Sequence, residues 1–151
     1  MLKQLPLIAI VNGPNLNLLG LREPETYGSL TLDQINSDLT SVFNIKANLN
    51  FFQSNHEGEI IDFIQSFKGD GLVLNLGAFT HTSIAIRDAL VHCLNISKCK
   101  AVEVHISNIY KRENFRKTSY ISDVVDGVIC GLGSSGYNAG IMYLLSVLNT
   151  I

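Results

Sequence analysis

Short apolar runs punctuate the chain at residues 7–11, 49–52, 72–74, 101–106 and 124–130, some with a polar interruption. A strand with one wet face alternates apolar and polar positions, whereas parallel strands are covered on both faces and read as nearly continuous apolar runs. These five runs therefore predict buried parallel strands. Segments of helical period lie between them. Thr31 with Gln34, and Ser54 with Glu57, fit the capping box, in which a hydroxyl and a side chain three residues on satisfy free amides at a helix start. Further helices are expected at about 83–94 and 135–148. The resulting β-α repeat predicts an α/β fold with a five-stranded parallel sheet. It forms one domain over 1–151, with no internal repeat, low-complexity tract or linker to divide it.

One connection breaks this rhythm. Between the first strand and the helix start LTLDQINSDL lies NGPNLNLLGLREPETYGS, residues 12–29. Structureless connections longer than about 12–15 residues are uncommon inside a compact domain and are usually functional or disordered. Gly13, Gly20 and Gly28 give this one places to bend, as an active-site lid over about 12–30 would need. Open α/β sheets bind ligands beyond the carboxyl ends of their strands. That rule collects four polar segments at one rim: Asn12 with the long loop, Gln53-Ser54-Asn55-His56, Asn75-Leu76-Gly77 and His105-Ile106-Ser107-Asn108.

Composition narrows the class. With 46% hydrophobic and 16% charged residues, the chain can offset its ordering entropy with a core. A formal net charge of −2 gives no general attraction to nucleic acid or to an anionic membrane, so any anion must be held by a local site. No apolar run approaches the ~18 residues of a spanning helix. Cys93, Cys99 and Cys130 are odd in number and form no CxxC pair, which suits free thiols in a reducing compartment. LPLIAIV is better read as a strand than as a secretory segment, because no small-residue cleavage site follows it. The expectation is a soluble, cytoplasmic protein.

Several short motifs fall short of their chemistry. GLGSSG at 131–136 has dinucleotide-loop spacing, but that fingerprint needs an acidic residue about 20 positions on, and residues 137–151 contain no Asp or Glu. Its glycines are better explained by close packing of the last helix on the sheet. HEGE at 56–59 is half of a zinc helix, with Ile60 where the second His belongs. A phosphoacceptor receiver needs acidic residues after the first strand and an Asp after the third, where this chain has Asn12 and Asn75. A flavin carrier is harder to exclude, because hydroxyl- and glycine-rich loops can cradle phosphate. Here, though, Thr80, Ser83 and Ser107 are scattered.

Two pairs carry more. Glu103 and His105 are two apart on an expected strand and share a face, where the carboxylate would orient the imidazole or form a structural ion pair with it. Tyr27 and Arg22 lie together in the long loop. A phenol serves as a base near neutrality only when cations or hydrogen bonds stabilise its phenolate, and Arg22 is such a cation. An aromatic anchor for the loop is the ordinary alternative. His81, Arg87 and Asp88 flank or occupy a helix whose solvated face would account for them. Arg112 and Arg116 would share one side if helical, or mark a basic turn. Residue chemistry thus reaches an α/β enzyme that holds a polar anion, with Tyr27 and His105 as base and acid candidates, and stops short of a substrate.

The stretches NGPNLNLLGLREPETYG, FFQSNHEGEIID, NLGAFTHTSIAIRDAL and EVHISNIYKRENFRKTSYIS, in this order across nearly the whole chain, closely resemble the type II 3-dehydroquinate dehydratases. The resemblance implies a flavodoxin-like three-layer sandwich with strand order 2-1-3-4-5, no cofactor, no metal, and a homododecamer built as a tetramer of trimers. It implies anti elimination of water from 3-dehydroquinate to 3-dehydroshikimate through an enolate, in the shikimate pathway or in quinate breakdown. By position in REPETYG, Tyr27 would remove the proton alpha to the ketone, with Arg22 stabilising negative charge. By position in NGPN, Asn12 would partner the enolate oxygen. By position in EVHISN, His105 would protonate the departing C1 hydroxyl, and Glu103 would orient it. Asn75, Ser107 and the Ile106 amide would bind the substrate carboxylate, His81 and Arg116 the ring hydroxyls, and Asp88 would reach a neighbouring subunit's site. Leu76 and Phe79 depart from the family, which more often has a smaller residue or Pro, and a Tyr, at these positions.

Overall fold

The computed structural model describes residues 4–148. Its strands are β1 (Leu7–Asn12), β2 (Asn48–Gln53), β3 (Gly71–Asn75), β4 (Lys100–His105) and β5 (Gly127–Cys130), all paired in parallel in the order β2-β1-β3-β4-β5. The helices are α1 (Pro24–Tyr27, a single turn), α2 (Leu32–Phe43), α3 (Glu57–Ser66), α4 (Ile84–Ser97) and α5 (Ser135–Leu148). Both the strand order and the parallel sheet agree with the expectation. Strand order reverses between β1 and β3, the place where ligands settle in open α/β sheets.

Helices cover both faces. On one, α2 and α5 bury Ile35, Leu39, Phe43, Ile141 and Leu144 against Ile8, Ile10, Val73, Val102 and Val104. On the other, α3 and α4 bury Ile60, Ile64, Ile86 and Leu90 against Ala9, Val11, Leu72, Leu74 and Ala101. Successive strand residues face opposite ways, so a strand feeding two cores is apolar at nearly every position. Buried polar residues stand at the carboxyl ends: Asn12 in β1, Asn75 in β3, and Glu103 and His105 on the Ala101 face of β4. The α5 backbone lies close to the sheet: a Cβ at Gly136 would stand 3.2 Å from Val104 Cγ1. For Gly136, at least, the packing explanation of GLGSSG holds.

Thr31 caps α2 as expected, its hydroxyl accepting from the Gln34 amide at 3.2 Å while the Gln34 side chain accepts from the Thr31 amide at 2.8 Å. The second capping box does not form. His56 is the N-cap of α3, and the Ser54 hydroxyl accepts from the His56 amide and donates to Glu59. The Ser54 amide still donates to the Asn12 carbonyl at 3.1 Å, so the backbone keeps sheet register there and the helix starts later. β5 likewise begins at Gly127 rather than at 124. Val124 and Val125 turn back onto the Ile121 carbonyl before Asp126 joins the start of β4.

Candidate active site

The long loop has structure of its own. A 3-10 turn at Leu16–Leu18 buries Leu16, Leu19 follows it into the core, and α1 starts with Pro24 at a position that needs no backbone N–H. Gln53 Nε2 donates to the Gly13 carbonyl at 3.2 Å, and the Asn15 amide donates to Asn55 Oδ1 at 3.0 Å. The start of the loop is thus tied to the end of β2. Its distal part brings Arg22 and Tyr27 to a cleft of about 110 Å³ at the carboxyl end of the sheet.

That cleft gathers Arg22, Tyr27, Asn75, His81, His105, Ile106, Ser107 and Arg116, eight residues given site roles from the sequence, from five separate segments. Three others lie elsewhere. Glu103 is wholly buried behind His105. Asn12 is not on the cleft lining but buried at the end of β1. Asp88 is exposed on α4, outside the cleft lining.

His105 Nε2 donates to Glu103 Oε1 at 2.6 Å, and the Ser122 hydroxyl donates to Glu103 Oε2. Burial alone would push the Glu103 carboxyl up, but the bonds from His105 and Ser122 and the His105 charge outweigh it and hold the carboxyl below its ordinary range. Glu103 is therefore an anion that fixes one ring nitrogen, leaving Nδ1 of His105 for the cleft. The His81 ring lies 6.1 Å from that of His105, with Nδ1 donating to the Thr118 carbonyl at 2.7 Å. Burial lowers the pKa of His81, the Thr118 bond opposes this, and nearby His105 and Arg116 lower it further. Near neutrality the His81 ring is uncharged, with Nε2 as an acceptor.

Tyr27 is half-buried, with the guanidinium carbons of Arg22 and Arg112 5.0 and 5.1 Å from its ring centroid. Arg112 also donates to Ser107 Oγ at 3.1 Å, and Arg116 pairs with Glu113 at 3.1 Å. The two arginines do not sit on one α-helix. Short 3-10 turns at Ile109–Lys111 and Asn114–Lys117 carry them to the cleft. Sequence reasoning gave Arg112 no part in the site and missed Ser122 and Tyr137 altogether. The Tyr137 hydroxyl donates to Asn12 Oδ1 at 2.5 Å and accepts from Asn75 Nδ2 at 2.8 Å. Burial pushes this phenol up, so it stays protonated. One signal was present: a tyrosine on a helix of small and apolar residues must find its hydroxyl a partner. Among the described residues, no group of three or more His, Cys, Asp or Glu is placed to hold a metal ion.

The profile described as Dehydroquinase class II matches residues 6–145, from the start of β1 into the last turn of α5. The chain belongs to the class II dehydroquinase family. Its relatives there include the 3-dehydroquinate dehydratase of Prochlorococcus marinus strain MIT 9515, 56% identical over 93% of this chain and 96% of that protein. The 3-dehydroquinate dehydratase of Bordetella avium is 51% identical over 90% and 94%. Among solved class II dehydroquinases, that of Butyrivibrio crossotus is similar at a TM-score of 0.87 and 43% identity, covering 93% of this chain and 97% of its own. The type II enzyme of Propionibacterium acnes has the same TM-score at 36% identity.

Proposed function

We propose that the chain is a single catalytic domain that eliminates water, in the anti sense, from 3-dehydroquinate to give 3-dehydroshikimate through an enolate. The observation that carries this reading is a phenol beside two guanidiniums in the same cleft as an imidazole held by a buried carboxylate. Relatives that match nearly end to end bear the name of this activity.

In this mechanism Tyr27 acts as the phenolate, stabilised by Arg22 and Arg112, and removes the proton alpha to the ketone. Charge then grows on the ketone oxygen. Asn12, buried off the cleft lining, would reach that oxygen through a water. Collapse of the enolate expels the C1 hydroxyl, and His105 supplies its proton from Nδ1 while Glu103 holds Nε2. Tyr27 ends the cycle protonated and His105 deprotonated, so both must exchange protons with solvent before the next turnover. Asn75, Ser107 and the Ile106 amide take the substrate carboxylate, while His81 and Arg116 take ring hydroxyls. The distal part of segment 12–30, which carries Arg22 and Tyr27, acts as the lid, while its start is fixed to the sheet; closure expels water and strengthens the field of both arginines as charge develops.

No electrons leave the substrate, so the acid, base and charge-stabilising groups of the chain account for the reaction without a cofactor or metal. The proposed setting is cytoplasmic, in the shikimate pathway or quinate breakdown. The proposed assembly is a homododecamer, a tetramer of trimers, in which Asp88 completes a neighbour's site. The test is ultraviolet absorbance of purified protein mixed with 3-dehydroquinate and a chelator. Growth of the conjugated enone carboxylate signal supports the reading, and a flat trace from correctly folded protein refutes it.

A further inference from the structure

Asn12 and Asn75 are register partners at the ends of β1 and β3, and both are buried. The hydroxyl of Tyr137, itself fully buried in the first turn of α5, contacts both amides. A phenol has one proton, so it donates to one amide and accepts from the other. The 2.5 Å contact with Asn12 suits O–H···O and the 2.8 Å contact with Asn75 suits N–H···O. The relay therefore runs from the Asn75 N–H through the Tyr137 O–H to the Asn12 carbonyl. Direction matters, because an amide has a donor edge and an acceptor edge and without a fixed partner can present either. With Oδ1 engaged, Asn12 has only its Nδ2 hydrogens left for an enolate oxygen or for a water bound to one. Asn75 keeps one N–H for an anion.

We propose that Tyr137 is a positioning residue that sets the amide orientation of Asn12 and Asn75, and through Asn12 supports charge on the developing enolate. Polarisation along the relay strengthens the Asn12 donor in the same sense. The orientation stands on geometry alone; its kinetic consequence rests on the dehydratase reading.

The kinetic test compares wild type, Tyr137→Phe, Asn12→Ala and the double variant. Tyr137→Phe is expected to lower kcat by about 10–100-fold, less than the 10²–10³ of removing an oxyanion donor outright, with a smaller change in KM. In the Asn12→Ala background the same change should cost less than about threefold in kcat, because the amide through which Tyr137 supports the enolate is already absent, while its effect through Asn75 is read in KM. Penalties that multiply, or a near-normal kcat for Tyr137→Phe, would overturn the proposal. Neutron diffraction from wild-type crystals needs neither a folded variant nor turnover. It should show the Tyr137 deuteron directed at Asn12 Oδ1, and a deuteron directed at Asn75 overturns the orientation. A wild type inert towards 3-dehydroquinate would overturn the enolate role together with the dehydratase reading, and the deuteron alone would then decide the orientation.

Discussion

Tyr27 has two guanidiniums within 5.1 Å of its ring centroid and is carried by a helix of a single turn. Removing its hydroxyl therefore tests chemistry more than folding. Tyr27→Phe is expected to keep the fold and to lower turnover by at least the ~10²–10⁴ typical of a general base, read in the absorbance assay. Near-normal turnover would refute the role. His81 makes a different prediction, through linkage. Its folded pKa lies below the ordinary 6.5, chiefly because it is buried. The unfolded chain therefore binds more protons in the window below 6.5, and stability falls as pH drops through that window towards the folded pKa. His81→Asn keeps a side-chain N–H within reach of the Thr118 carbonyl but does not titrate. It should flatten the Tm–pH curve between about pH 7 and 5 relative to wild type; parallel curves would show that another group sets the slope. Glu103 acts lower on the scale. Its depressed carboxyl adds stability that is present above its unfolded value of 4.5 and lost as pH falls through the folded pKa.

Elements reach the site through a few tight junctions. At Gly13 the chain leaves β1 with its amide donating to the Asn75 carbonyl at 2.8 Å, and a Cβ there would stand 2.1 Å from the Leu76 carbonyl oxygen. The obstacle is backbone, which cannot swing aside as a flexible side chain would. Gly13→Ala is therefore expected to cost at least the ~1–3 kcal/mol of core overpacking, seen as a lower urea midpoint at unchanged slope. A loss well below 1 kcal/mol would mean that the ends of β1 and β3 can part. The same junctions explain what the sequence could tell. Patterns carried by neighbours along the chain were legible: the buried apolar runs of β1, β3 and β4, the Thr31 box and α5 at Ser135–Leu148, whereas the edge strands β2 and β5, expected to be buried, hold no buried residue. The Ser54 box was not, because the Ser54 amide answers to the Asn12 carbonyl across the sheet rather than to the helix that follows. The rim rule gathered most of the cleft. Asn12 lies off its lining, buried at the end of β1 with its amide bonded to Tyr137, 125 residues along the chain. Arg112 entered just past a 3-10 turn, a short connector that no long hydrophobic period marks.

Asp88 raises the question at the scale of the whole molecule. It lies exposed on α4 beside Arg87, whose guanidinium is paired with Asp123, and it is not on the lining of the cleft that holds Tyr27. If Asp88 serves catalysis, a second copy must supply it. Light scattering should then give a mass near twelve times the 16.6 kDa chain, and a stable monomer with full activity would remove any need for Asp88. A sharper test uses two impaired variants. Asp88→Ala should lower kcat/KM by at least about tenfold, the scale of losing one hydrogen bond to a charged group, while Tyr27→Phe fails at the chemical step. Unfolded together in equal amounts and refolded, the two chains would form mixed assemblies. Some sites would then draw an intact Tyr27 from one chain and an intact Asp88 from its neighbour. With random mixing in a closed symmetric ring, about one site in four has both. Activity should therefore recover to about a quarter of wild type, well above either variant alone. If Asp88 worked within its own chain, every mixed site would still lack one group and mixing would restore nothing.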